Sequence, residues 1–257
     1  MIMQAVFGLL DFGEIMQGSR IGTNVWFRFL NLGLRFSPAA GTDYPYINHP
    51  GAERSYVKTN GPDVEKWYEG LARGATFVTN GPLLEFSVDD APSGSEVAVQ
   101  SGEILDIFAR ATMNPDLGEI AGLELISMGE VIANGEPESG GISLHTEITA
   151  TTSGWFVVKA TAAGETPISA ITAPVFVIVD GNERTWRQEA VPAIADELIS
   201  AIEAVKQRDP ATVFDSEAWH SMPVWQRDFV RQLKNAAPRL TETQQRLEEL
   251  KAESLRQ

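Results

Sequence analysis

The 257-residue chain contains no cysteine, which removes disulfides, thiol nucleophiles and thiolate metal sites at once. Histidine is scarce as well: there are three, His49, His145 and His220. Basic residues are outnumbered by acidic ones, 20 against 35, for a formal net charge of -15. A field of that sign repels nucleic acid and anionic membrane surfaces, so neither is an expected partner. The apolar start, Met1 to Leu10, lacks a basic flank and is interrupted by Asp11 and Glu14 before it reaches spanning length, so no membrane insertion is expected. It reads as the beginning of a buried strand.

What the chain does have is material for cores, with 43% hydrophobic residues. At about 150 residues per domain its length predicts one or two domains. Residues 1 to 85 alternate strand and helix signals. Ala5 to Met16 reads as an apolar strand of the two-side-buried type, although so short a run is also compatible with a helix. Trp26, Phe27, Phe29, Leu30 and Leu34 recur at helical spacing, with Gly33 as the stop. Phe36 to Thr42 is a strand, Tyr44 to Ala52 a loop, and Arg54 to Thr59 another strand. Pro62 opens a helix whose apolar face is Val64, Trp67, Tyr68 and Leu71, closed by Gly74 and followed by the strand Ala75 to Thr79. That order predicts a parallel α/β layer or barrel. Its abrupt start predicts a domain cut in its middle, with apolar strand edges near Ala5 to Leu10 and a tendency to self-associate.

Residues 86–180 change character to short alternating segments separated by Gly, Asn, Asp and Pro. Phe86 to Val88, Glu96 to Gln100, Ile104 to Ala111, Leu123 to Ser127, Ile142 to Ala150, Trp155 to Thr161 and Pro174 to Val179 predict an antiparallel β-sandwich. Asn134-Gly135 and Asp180-Gly181 are turn dipeptides. Residues 181–257 return to helical spacing. Stripes at Val191 to Val205, at Trp225, Phe229 and Leu233, and at Leu240, Leu247 and Leu250 predict a three-helix tail.

The first segment alone carries recognisable chemistry. Asp43 follows the strand Phe36 to Thr42 in the run Ala40-Gly41-Thr42-Asp43-Tyr44-Pro45, the place where barrel enzymes set metal ligands on strand ends. Residues 31 to 84, with that run, Asn31 to Phe36, and Gly74-Ala-Thr-Phe-Val-Thr-Asn-Gly-Pro-Leu-Leu84, resemble the closing half of CehA/McbA-type metallohydrolases of the PHP superfamily. Gly154-Trp155, Ala173 to Val177 and the helical tail extend the resemblance. It implies a partial PHP-type (β/α) barrel remnant followed by the β-sandwich and the tail. It also implies a divalent metal (Zn, Mn or Fe) that activates water against an ester, amide or phosphoester of a small-molecule substrate. Family members are often exported. Asp43 would correspond to the last ligand, while Pro45 stands where many relatives carry a histidine, and the upstream His-x-His lies outside this sequence. The isolated chain is therefore expected to be inactive.

Other candidates around that site are Glu14 at a strand end, Thr42 orienting the carboxylate, His49 folding back from the loop, and Asn80 after a strand. For Thr79-Asn80-Gly81 a structural turn is the favoured reading, with contact to a ligand the lesser one. Among the six tryptophans, Trp26, Trp67, Trp155, Trp219 and Trp225 are expected in cores, and Trp186, between two arginines, on the surface. Against the hydrolase reading stands a second one, in which the β-sandwich and tail form a non-catalytic binding or assembly module.

Overall fold

The computed structural model describes residues 2–164, 167–207 and 223–256, with the backbone alone at 225, 226, 228–234 and 237. The chain opens with helix α1 (Ile2–Val6). There follow β1 (Phe12–Gln17), β2 (Arg20–Ile21), α2 (Thr23–Asn31), β3 (Ser37–Ala40), β4 (Arg54–Val57), α3 (Val64–Ala72) and β5 (Thr76–Thr79). The strand-rich middle contains β6 (Leu83–Val88), β7 (Ala91–Pro92), β8 (Glu96–Val99), β9 (Ile104–Thr112), β10 (Ile120–Ser127) and β11 (Glu130–Asn134). It continues with β12 (Glu136–Glu138), β13 (Gly141–Thr149), β14 (Gly154–Ala162), β15 (Ile168–Thr172) and β16 (Val175–Val179). Helices α4 (Val191–Lys206) and α5 (Val224–Ser254) end the described chain. Two compact units result, Leu10–Arg187 and Met1–Leu9 with Gln188–Gln257.

The first unit is a two-layer sandwich with a small third sheet. One layer runs β11-β10-β14-β15-β5-β4, with β16 on β14 and β8 on β16; the other runs β12-β13-β9-β6-β7. Strict alternation makes the facing layers possible: along β9, Leu105, Ile107, Ala109 and Ala111 are buried and their neighbours are not. Those residues share one core with Leu125, Val158 and Val177 from the opposite layer. The small sheet, β2-β1-β3, joins β1 and β3 in parallel. Helix α2 precedes β3 and ends as the sequence predicts. Gly33, at φ 78°, donates to Leu30 O, and Leu34 N–H reaches back to Phe29 O.

Asn31 fastens α2 to the sandwich. Its amide donates to Met128 O and its carbonyl accepts from Trp155 Nε1, both at 3.1 Å. Ser153 plays a similar part near β16, donating to Asn182 O and accepting from Val179 N–H. Asp180 and Gly181 both have positive φ and form the expected turn. Gly135 does not close a hairpin; it lies where the chain leaves β11, in one layer, for β12 in the other. A Cβ there would meet Ser143 O at 2.9 Å.

Several expectations are corrected. Ala5 to Met16 is not one strand: Ala5 and Val6 are buried in α1, in the second unit, and pairing begins at Phe12. The strand edge on which self-association was argued is therefore absent from Ala5 to Leu10. Residues of β4 and β5, read as part of an α/β layer, lie in the larger sandwich layer, antiparallel to each other, with β5 antiparallel to β15. Trp26 and Trp155 are buried as predicted. Trp67 is instead 36% exposed, while Trp186 is 5% exposed beneath the Arg184 guanidinium. Trp219 and the Trp225 side chain lie outside the described residues.

In the second unit, the second and third predicted tail helices are one helix, α5, running through Pro238. Its buried residues Leu240, Thr243, Leu247, Leu250 and Ser254 recur at alternating steps of three and four, the spacing of a helix-pairing seam. Lys206 bonds Thr241 and Gln244 near one end of the pair, and Lys251 bonds Asp196 near the other. That orientation is antiparallel. The Asp196 carboxylate, hydrogen-bonded to it, holds the Lys251 ammonium above its usual range. Among the described residues no helix is long and apolar enough to cross a membrane.

Candidate functional site

Among the described residues, those singled out from sequence form no group of three His, Asp or Glu side chains that could hold a metal ion. Asp43 is exposed, sits at φ 48°, and its carbonyl accepts from the N–H groups of Tyr46 and Ile47. It starts a turn, a conformation that aspartate tolerates well. The Glu14 carboxylate lies against Gly41, where an added Cβ would sit 2.3 Å from Oε2. Thr42 contributes its carbonyl to Asn48 N–H. His49 is exposed, with its N–H on the Asn48 side chain. Asn80 faces elsewhere: its amide donates to Pro167 O and its carbonyl accepts from Ser169 N–H. His145 pairs with Asp106 on a sandwich strand, 2.6 Å apart and exposed. His220 lies outside the described residues. Among the described residues no three His, Asp or Glu side chains are grouped so as to hold a metal.

One carboxylate near Asp43 escaped the sequence reading. Glu53 is 4% exposed, and its Oε1 accepts from Ser19 N–H and Asn48 Nδ2. It staples the β1–β2 turn to the loop after Asp43. In sequence it is an ordinary loop glutamate; only the fold brings Ser19 to it.

A concavity of the first unit lies elsewhere. A cleft of about 580 Å³ lies between β4 and β5 of one layer and β6, with the turn and β7 that follow it, of the other. Its floor is an aromatic pair, Tyr56 of β4 opposite Phe77 of β5, with ring centroids 5.0 Å apart and planes 4° from parallel. Phe77 packs partly into the sandwich core, while Tyr56 is 40% exposed. Leu84 and Phe86 form the opposing wall and Phe108 lies at the rim. Charge is unevenly distributed, with Glu85 and Asp90 on the β6 side and Lys58 on the other. The local reason is the period of the strand. Ser55 is tied to Ala40 N–H and Val57 lies against Gly70 of α3, so Tyr56 between them points to the other face. No sequence signal separated Tyr56 and Phe77 from ordinary core aromatics.

This arrangement offers apolar and aromatic contact with a few polar groups at the margin.

Comparison with known proteins corrects the family expectation. No family model matches the chain, and no curated protein does. A search of solved structures finds the fibronectin(III)-like modules of Clostridium thermocellum CbhA at 25% identity, covering 38% of this chain and 98% of that one, with a TM-score of 0.25. The resemblance to CehA/McbA metallohydrolases therefore finds no support in any of these comparisons, and the described residues lack the grouped ligands that such a site requires. The chain is a mixed α/β protein with a β-sandwich at its centre and a helical C-terminal part.

Proposed function

We propose that this chain is a non-catalytic binding module whose ligand occupies the cleft between β4–β5 and β6. The observation that carries the reading is the stacked Tyr56–Phe77 pair, with Tyr56 left 40% exposed. Burying an aromatic side chain is worth roughly 1.5–3 kcal/mol, so an aromatic held open and flanked by Leu84 and Phe86 is ready-made binding energy. The rim groups Glu85, Asp90 and Lys58 supply orientation rather than chemistry.

The test is a selection of binders from a random peptide library and from a panel of neutral oligosaccharides on immobilised protein. Binders are expected to weaken about tenfold or more on Tyr56→Ala and on Phe108→Ala. Binders that ignore both substitutions would remove the cleft as the site and the reading with it.

A further inference from the structure

Strand β6 is paired along its whole length on one side, from Leu83 opposite Thr112 to Val88 opposite Ile107. On the other side pairing is confined to Ser87 opposite Pro92 and Val88 opposite Ala91. The cause is visible in the chain. Asp89 and Asp90, at φ 47° and 61°, make a two-residue hairpin turn that starts β7 in the right place. Pro92 then brings no N–H to the ladder, and Gly94, at φ 82°, turns the chain toward β8 in the other layer. Leu83–Phe86 is left as an open edge of about 13 Å. The lane beside it is a strand at one end and the cleft at the other.

Across that lane stand Tyr56 and Phe77. Strands in a layer lie about 4.8 Å apart and layers about 10 Å apart, so a strand prolonging the β7 lane would lie over this aromatic pair. Nothing in Leu83–Val88 guards the edge in the usual way, since it contains neither proline nor lysine and one charge, Glu85.

We infer that the lane takes an extended peptide segment of four to five residues that adds to the sheet beside Leu83–Phe86. This rests on the cleft being a binding site. Backbone groups of the peptide complete the ladder of β6, and alternate side chains, apolar ones, cover Tyr56 and Phe77. The intervening side chains face outward toward Glu85 and Asp90 and are basic or neutral. The net charge of -15 discriminates further against acidic segments.

The experiment is calorimetric titration of the whole chain with a capped eight-residue peptide alternating valine and lysine. Two further versions carry N-methyl groups on the backbone nitrogens of either the odd or the even residues. Because successive N–H groups of a strand point to opposite sides, one N-methylated version is expected to lose at least tenfold in affinity and the other to stay within about threefold. Tyr56→Ala and Glu85→Lys should both weaken the unmodified peptide, with the unfolding midpoint of each variant checking its fold.

Equal binding of the two N-methylated peptides, still lost on Tyr56→Ala, would overturn strand addition while leaving the cleft as a binding site. Absence of peptide binding up to about 1 mM overturns strand addition as well. If maltohexaose then binds in a manner lost on Tyr56→Ala, the cleft reading stands with a different ligand. Peptide binding untouched by either protein variant would overturn both.

Discussion

The inner face of the larger sandwich layer has two fates within one sheet. Around β10 and β14 it is sealed: Leu125 and Val158 are 0% exposed beneath β9 and β13. A few strands away, on β4, Tyr56 is 40% exposed. Residue type does not explain the contrast, since tyrosine and phenylalanine suit a covered strand face as well as leucine does. The difference lies in the opposite layer, which continues over one region and, past β6, is reduced to the two-residue β7.

That contrast can be tested by substitution. Leu125→Ala should be the costliest change, at about 2–5 kcal/mol, because the sealed region cannot collapse around the lost volume; urea unfolding measures it. Asn31→Ala should follow at about 1–3 kcal/mol, since it strands the buried Trp155 N–H and frees Met128 O. Tyr56→Ala removes a half-exposed partner from an aromatic stack and should cost about 0.5–1.5 kcal/mol. A loss matching that of Leu125→Ala would mean the cleft is closed in solution and the comparison fails. Trp67→Ser, on a helix face that the described structure leaves exposed, should stay within about 0.5 kcal/mol.

The sandwich was legible because alternation is a local signal with a global meaning. Ile104 to Ala111 reads in and out by turns, and the buried members are the ones that face the other layer. Helix α3 shows the limit of the same reasoning. Its helical stripe and its stop were read correctly, with Gly74 at φ 75°, but the start is capped by Asp63, which accepts from Lys66 N–H, with Pro62 outside the helix, and Val64 and Tyr68 are exposed at 66% and 62%. Periodicity announces a helix and is silent on what covers it. The N-terminal run failed for another reason: Ile2 to Val6 is too short for its period to separate helix from strand. Trp186 was misplaced by its two arginine neighbours, although an arginine can lie over a buried indole and keep its charge in water.

The site was least legible, and for a topological reason. Asp43 belongs to a continuous run of sequence and so draws attention, whereas Tyr56, Phe77 and Glu85 meet only after two layers are assembled. Glu53 gives the same lesson on a smaller scale, its partner Ser19 being 34 residues away. A ligand set or a cleft is a property of pairing between distant strands, and a motif of six residues contains no information about that pairing.

Gly94 carries a consequence for the history of the fold. A Cβ built there would stand 2.4 Å from both Arg73 O and the Gly74 carbonyl carbon, so the turn that diverts the chain away from β6 closes on a contact between two glycines. Any side chain at that position must part the two backbones. A lineage that lost the contact and prolonged β7 would supply its own strand and become self-contained. The strand addition proposed for this edge would thus rest on keeping one position free of a side chain.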